Sequence, residues 1–162
     1  AIKFLHTGLL EKNLKDQYIQ RFIREAKIAA SLEHENIVKV YEASMEEDNY
    51  YIVMEYVDGC NLYNFLKVKK GKLTERETLD MAITLSEALD KAYQQKIIHR
   101  DIKPENILIS NDGRIKIADF GLAHGALIGS TLTAESSVVL GSVSYLSPEQ
   151  VQRGISDSRS DV

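Results

Sequence analysis

The sequence predicts an α+β fold of two lobes, a small sheet-rich lobe followed by a larger helical lobe. Short β-rich runs accompany one amphipathic helix in residues 1–57, whereas the helical pattern dominates residues 58–162. A later hairpin in the second lobe carries polar residues at its ends. Because a cleft between two lobes is a usual place for a small-molecule site, we expect such a site between them.

The first lobe begins with the end of a strand over residues 1–5, followed by a helix over residues 14–32. Apolar residues recur in this helix at spacings of three and four, with charged residues between them: Tyr18, Phe22, Ala26 and Ala29. These spacings predict one buried helix face.

Two further strands are predicted over residues 37–41 and 50–56, because β-rich residues are concentrated there. The acidic residues 45–49 between them predict the loop of a hairpin. Asp58-Gly59 ends the second run and is a candidate hinge between the lobes.

The second lobe opens with a helix whose start has the pattern of a capping box, with Thr74 as N-cap and Glu77 reaching back to it. We expect this helix to end near Gln95. One face is predicted to carry Leu79, Ala82, Ile83, Ser86, Leu89 and Tyr93. Residues 107–109 and 115–117 predict a hairpin around Asn111-Asp112-Gly113.

Composition limits the kind of partner. The chain has 162 residues and a formal net charge of −4, which argues against a nucleic-acid or anionic-membrane binder held by bulk charge. Its single cysteine, Cys60, favours a reduced, cytoplasmic environment. No apolar run approaches the roughly 20 residues that span a bilayer, so we expect no membrane span in this segment.

Phosphoryl transfer needs a carboxylate near the attacking hydroxyl, oxygen ligands for Mg²⁺ and a cation on the nucleotide phosphates. The chain has candidates for each role in the segment His99-Arg100-Asp101-Ile102-Lys103-Pro104-Glu105-Asn106 and in Asp119-Phe120-Gly121. With Ser147-Pro148-Glu149-Gln150, these motifs resemble those of protein kinases, in family order over the whole chain. The resemblance is nearest to bacterial serine/threonine kinases, and it implies a two-lobed protein-kinase-like fold.

By this resemblance, Asp101 is the catalytic base that accepts the proton of the substrate hydroxyl. Asn106 and Asp119 are the implied Mg²⁺ ligands and, through the metal, hold ATP. Lys103 is similar to the lysine that neutralises the moving phosphoryl group in serine/threonine kinases. A lone Asp in a loop is more often a turn or cap residue, but three such residues in this arrangement favour the kinase interpretation.

Lys3 resembles the strand lysine that holds the α- and β-phosphates of ATP. Glu25 lies among the apolar residues of the first helix, so its carboxylate is expected to face inward and to pair with Lys3. The alternative is that Glu25 pairs locally with a surface Lys or Arg.

Six residues resemble the adenine pocket of the family. Met54 resembles the residue at its back, Glu55, Tyr56 and Val57 resemble the hinge, and Ala1 and Leu108 resemble the residues on the two faces of the ring. Core packing alone also explains such apolar positions.

Residues 122–146 resemble an activation segment and are rich in hydroxyl groups. A phosphate on Thr131 or Thr133, added by autophosphorylation, is expected to pair with Arg100 and to order the segment. The alternative is a flexible polar loop that is never modified. His99 and Phe120 are expected to pack beneath the site, and Asp161 resembles the buried aspartate that braces the catalytic loop.

The resemblance implies a serine/threonine kinase domain truncated at both ends, because the family's glycine-rich loop would precede Ala1 and further helices would follow Val162. We therefore expect this segment alone to be weak or inactive, in a full-length protein whose kinase lobe is cytoplasmic with or without a membrane anchor. The alternatives are a pseudokinase with a scaffolding role and a small-molecule phosphotransferase. Asp101-dependent transfer to protein substrates distinguishes them.

Overall fold

The computed structural model describes residues 1–5, 12–47, 49–69, 71–120, 144–153 and 155–161. Within these ranges the chain forms two three-stranded antiparallel sheets and four α-helices. The α+β class that the sequence predicts is confirmed.

The first sheet contains β1 (Ile2–Phe4), β2 (Val40–Glu46) and β3 (Asn49–Met54) in the order β1-β3-β2. Lys3 lies opposite Ile52 in the central strand, and Ile52 is fully buried. The central strand of the sheet is therefore buried at Ile52, and Lys3 lies on the edge strand β1 beside it.

Strand β2 begins later than predicted, and it extends to Glu46, into the first two residues of the predicted acidic loop. The reason is that residues 36–38 bond to the other sheet: Ile117 donates to the Asn36 carbonyl at 2.8 Å, and Val38 donates to the Ile117 carbonyl at 2.9 Å. Glu46, the last residue of β2, is exposed on an edge strand, where charge is tolerated.

Helix α1 (Lys12–Ala30) buries the face that its spacing predicts. Phe22, Ala26 and Ala29 are all buried, together with Ile19. The helix packs mainly against β2 of the first sheet. In this packing Glu25 is half-buried.

The second sheet contains β4 (Gly59–Asn61), β5 (Ile107–Ser110) and β6 (Ile115–Ile117) in that order. The predicted hairpin of β5 and β6 is confirmed, with Gly113 at a φ of 86° in its turn. Gly59 begins β4, and a Cβ on it would lie 2.0 Å from the Ile109 carbonyl oxygen. Only glycine fits this close approach of two strands.

Among the described residues, the second part of the chain also contains three α-helices: α2 (Leu62–Val68), α3 (Glu75–Gln94) and α4 (Pro148–Arg153). The capping box that opens α3 is present as predicted, with Thr74 and Glu77 bonded reciprocally. The cap at Gln95 also agrees with the prediction. Short 3₁₀ turns lie at Pro104–Asn106 and Ser158–Asp161.

Most of the helix face that the sequence singles out in α3 is not the face that the structure buries. Leu79 and Ile83 are exposed, whereas Met81, Ala88 and Ala92 are buried. Helix α3 carries apolar residues on more than one side, so its periodicity allows two faces, and packing against β6 selects the second.

One hydrophobic core joins the two sheets. It contains Phe22 and Ala26 from α1, Ile52 from β3, and Ile117 and Phe120 from the end of β6. The predicted boundary between the lobes, at residues 57 and 58, lies between these two sheets. Because the sheets share one core, this boundary stays a prediction. None of the helices in the described ranges is both long and apolar enough to cross a membrane.

Candidate active site

The loop between α3 and β5 brings the predicted base and its predicted cationic neighbour together. Lys103 Nζ lies 2.7 Å from Asp101 Oδ2, and the two side chains are only 17% and 10% exposed. An ion pair that is so shielded from water holds its two charged groups at a fixed distance better than a pair on the surface does. The loop thus presents one carboxylate with a cation directly beside it.

Asn106 fixes the other side of the Asp101 carboxylate. Its Nδ2 donates to Asp101 Oδ2 at 2.9 Å and to the Asp101 carbonyl at 2.8 Å. The backbone of Asn106 is held as well, because its N–H donates to the Lys103 carbonyl and its carbonyl accepts from Ala118. Since the amide nitrogen faces Asp101, the amide oxygen is directed away from it, and its predicted role as a metal ligand stays a prediction.

Asp119 lies just beyond β6 with a φ of 63°, a left-handed conformation that is costly for a residue with a side chain. Its Oδ2 lies 2.7 Å from Lys3 Nζ. The structure therefore brings together two predicted site residues that are far apart in the sequence.

The predicted partner of Lys3 was Glu25, and the ion pair in the structure is with Asp119 instead. Glu25 is half-buried on α1 and has polar interactions of its own. It lines a cavity of about 310 Å³ together with Arg100 and Phe120. The role of Glu25 beside Lys3 stays a prediction, because the partner of Lys3 depends on distances that only the fold sets.

His99 is fully buried beneath the loop. Burial lowers the pKa of its imidazole, although the hydrogen bond to Ala118 and the carboxylates of Asp161, Asp101 and Asp119 oppose this shift. Nε2 lies 2.8 Å from the Ala118 carbonyl and Nδ1 accepts from the Asp101 N–H at 3.2 Å. These partners assign a neutral ring with the proton on Nε2.

Asp161 braces the same loop, in agreement with its predicted role. Its two carboxylate oxygens accept from the N–H groups of His99 and Arg100, each at 2.7 Å. Asp161 itself is buried. A buried carboxylate that receives two backbone bonds holds the two residues before Asp101 in place.

The predicted hinge carries an ion pair that sequence reasoning missed. Lys116 of β6, itself buried, donates from Nζ to Glu55 Oε2 at 3.0 Å, and the Lys39 N–H donates to the same oxygen at 3.2 Å. A lysine between two isoleucines of the predicted strand 115–117 was the available signal. The pair ties the hinge to the strand that leads to Asp119.

The residues of the predicted adenine pocket are only partly brought together. Met54 donates to the Ala1 carbonyl at 2.9 Å, and Glu55 and Val57 follow directly after β3. Leu108 lies on the other sheet, opposite Asn61 and Lys116. The placement of Ala1 and Leu108 on two faces of one ring stays a prediction.

Several predictions fall outside the described residues. Gly121 and most of the predicted activation segment, including Thr131 and Thr133, belong to residues 121–143. Their predicted roles therefore stay predictions.

The donor set suits a hard divalent cation. Mg²⁺ prefers oxygen ligands, and it usually takes only one or two carboxylates from a protein together with phosphate and water oxygens. In the described ranges no group of three or more His, Cys, Asp or Glu side chains is arranged to hold a metal ion, so a closed all-protein metal cage is not found there. The Asp119 carboxylate pairs with the Lys3 ammonium in the structure, and its role as a metal ligand stays a prediction.

Comparison with known proteins gives a consistent result. The family model described as "Protein kinase domain" matches residues 1–162. Serine/threonine-protein kinase PrkC of Bacillus subtilis (strain 168) is 46% identical over 162 residues, which are 100% of this chain and 24% of that protein. Serine/threonine-protein kinase PknB of Mycobacterium tuberculosis (strain ATCC 25177 / H37Ra) is 37% identical over 166 residues, 100% of this chain and 26% of that protein.

Solved structures show the same relation. A crystal structure of the Mycobacterium tuberculosis PknI kinase domain superposes with a TM-score of 0.74 at 29% sequence identity. The match covers 99% of this chain and 57% of that chain. The chain thus spans about a quarter of the length of the curated relatives and somewhat more than half of the solved kinase domain.

Proposed function

Because the chain belongs to the protein kinase domain family, we propose that it carries the phosphoryl-transfer site of a serine/threonine protein kinase. The observation that supports this most strongly is the Asp101 carboxylate, held at 2.7 Å by Lys103 and at 2.9 Å by Asn106. The proposed reaction moves the γ-phosphoryl group of ATP to a serine or threonine hydroxyl of a protein.

Asp101 is proposed to orient the attacking hydroxyl and to accept its proton as the oxygen–phosphorus bond forms. The bond from phosphorus to the leaving β-phosphate oxygen breaks, and that oxygen keeps the electron pair. Lys103 stands beside Asp101 and offsets the negative charge of the transferring group. The short lysine–carboxylate distance favours this role over that of a solvated surface lysine.

Asp119 and Asn106 would hold Mg²⁺ through a carboxylate and an amide oxygen. When bound, Mg²⁺ with ATP supplies the transferable phosphoryl group and the cation that neutralises its phosphates. Lys3 is the proposed protein cation for the α- and β-phosphates, and Glu25 the residue of α1 that helps to position it. The backbone of Glu55 and Val57, next to Met54, would bind adenine, with Ala1 and Leu108 on its faces.

The test uses the full-length protein, ATP and a general protein substrate. Replacing the base (Asp101→Asn) is expected to lower the transfer rate by a factor of about 100 to 10,000, because the variant keeps the shape but cannot accept the proton. Asp90→Asn is the matched control, since Asp90 is an exposed residue of α3 whose side chain accepts from Gln94 at 2.8 Å, away from the catalytic loop. Equal rates for the wild type and Asp101→Asn would favour a pseudokinase.

Autophosphorylation at Thr131 or Thr133 is a separate proposal. It is supported by the position of Arg100, whose side chain lines a cavity beside α1. Mass spectrometry of the protein after incubation with ATP is expected to find phosphate within residues 122–146, and Thr131→Ala with Thr133→Ala is expected to remove most of it. Phosphate found only elsewhere in the protein contradicts the proposal.

A further inference from the structure

The backbone of Arg100 is left-handed directly before the proposed base. Its φ is 73°, in the region that favours glycine. Such a conformation is unfavourable for an L-residue and persists only where the surrounding structure holds it. The contacts that hold Arg100 therefore also fix the direction in which Asp101 leaves the loop.

Arg100 is held on both sides of its backbone. Its N–H donates to Asp161 Oδ1 at 2.7 Å, and its carbonyl accepts from Gln150 Nε2 at 2.9 Å. The carbonyl belongs to the peptide unit that joins Arg100 to Asp101. Gln150 thus bonds to the peptide on the side of the base, whereas Asp161 bonds to the peptide before it.

Gln150 is buried in α4, with 6% of its surface exposed. Its Oε1 accepts from the Ser147 N–H at 2.8 Å. The amide oxygen therefore meets a donor, and the amide nitrogen meets an acceptor, the Arg100 carbonyl. A flipped amide would place its NH₂ group against the Ser147 N–H and its oxygen against the Arg100 carbonyl. The partners therefore assign one orientation, and a buried amide in a single orientation is a rigid connector.

We propose that Gln150 is a positioning residue that holds the Arg100–Asp101 peptide, and through it the Asp101 carboxylate, in the geometry needed for phosphoryl transfer. The proposal rests on the proposed kinase function. It also links two regions, because α4 follows residues 121–143 in the chain and its glutamine bonds to the catalytic loop 50 residues earlier.

Two substitutions test the two hydrogen bonds of the Gln150 side chain. Gln150→Glu keeps an oxygen that accepts from Ser147 but, as a carboxylate, loses the donor to the Arg100 carbonyl. Gln150→Leu removes both bonds at similar volume. Gln152→Glu and Gln152→Leu are the matched controls, since Gln152 is an exposed residue of the same helix.

The first measurement does not depend on activity. Hydrogen exchange of the full-length protein, read by mass spectrometry, is expected to be about tenfold faster over residues 98–106 in Gln150→Glu than in Gln152→Glu, because one hydrogen bond that holds the loop is lost. Exchange in the core strands β3 and β6 is expected to stay unchanged.

The second measurement is steady-state transfer by the full-length protein. For Gln150→Glu and Gln150→Leu we expect kcat to fall about tenfold to a hundredfold, because a small misplacement of a catalytic group has a large effect on rate. KM for ATP is expected to stay within about twofold, since Gln150 does not touch the proposed nucleotide site. The Gln152 variants are expected to match the wild type.

The outcomes are distinguishable. The proposal is overturned if the Gln150 variants have the same loop exchange and the same kcat as the Gln152 controls. It is also overturned if loop exchange is faster but kcat is unchanged. A lower kcat with faster exchange throughout β3 and β6 also overturns it, because Gln150 then stabilises the whole domain rather than the loop. If the wild type and Asp101→Asn transfer equally slowly, the kinase function fails, while the exchange comparison still decides whether Gln150 holds the loop.

Discussion

His99 lies fully buried directly below the catalytic loop, with both ring nitrogens bonded to the backbone. Its ring also meets Phe120 edge to face, with centroids 4.6 Å apart. Protonation of Nδ1 would replace an acceptor by a donor opposite the Asp101 N–H and would place a charge in the core. At the residue scale, the imidazole is therefore a neutral spacer that connects the base to the segment before Asp119.

This environment predicts a pH dependence of stability. Burial lowers the pKa of His99 below its usual value of 6.5, so the unfolded chain binds the proton first as the pH falls. The contribution of His99 is complete above about pH 6.5 and is lost as the pH falls from there towards the lowered pKa, with a slope of up to about 1.4 kcal/mol per pH unit. Urea unfolding at several pH values between about 7.5 and 5 measures this slope.

His99→Gln is expected to flatten the slope relative to the wild type. His34→Gln is the control, because His34 is a partly exposed residue that bonds to the Asn36 N–H at 3.1 Å, away from the loop. The idea fails if His99→Gln and the wild type lose stability equally steeply between these pH values.

At the scale of single elements, α3 shows how a local signal defines a helix start. Thr74 Oγ1 accepts from the Glu77 N–H at 3.2 Å, and Glu77 Oε2 accepts from the Thr74 N–H at 2.8 Å. Lys69 from the end of α2 also donates to Glu77. These bonds lower the pKa of Glu77 to about 2, and the bond from Lys69 has the largest effect. The Glu77 carboxylate is therefore charged at neutral pH.

Thr74→Ala is expected to lower the free energy of unfolding by about 1 kcal/mol, because it leaves an N–H group of the first turn without its acceptor. Thr84→Ala is the matched control. Thr84 lies in the middle of α3, where its hydroxyl donates to the carbonyl one turn earlier, and alanine is the better helix former there. Denaturant unfolding of both variants measures the difference, and equal stability of the two would refute the capping argument.

At the scale of the whole molecule, Ile117 connects the two sheets. It is fully buried in the shared core, pairs with Ile107 in the β-hairpin, and bonds through its backbone to residues 36–38. Asp119 and Phe120 lie two and three residues after Ile117. Movement of this end of β6 would therefore displace Asp119, the proposed metal ligand. Stability of the core and geometry of the site are thus coupled at this position.

Ile117→Ala is expected to lower the free energy of unfolding by about 3 to 4 kcal/mol, since the core cannot fully close around the lost atoms. Ile83→Ala, at a position that is 57% exposed, is expected to have an effect below about 1 kcal/mol. Denaturant unfolding measures both. Similar losses for the two variants would mean that the core does not lie where the structure has it.

The sequence was sufficient for parts of the site that are close in the chain. Asp101, Lys103 and Asn106 lie within six positions, and their side chains meet in the structure. The pair of Lys3 with Asp119 and the bond of Gln150 to Arg100 join residues 116 and 50 positions apart. Local patterns carry no distance information over such separations, so these contacts were assigned to other partners or missed.

By itself the sequence determined the features whose energy is local: the capping box of α3, the turn of the β5–β6 hairpin, and the buried face of α1, where a single apolar stripe leaves one solution. The tertiary structure alone decided which face of α3 is buried, where β2 begins, and how Arg100 is held in its left-handed conformation. The physical reason is that burial and long-range hydrogen bonding depend on which surfaces pack together. Helix α3 has two apolar faces, and its packing against the neighbouring strand determines which of them is buried.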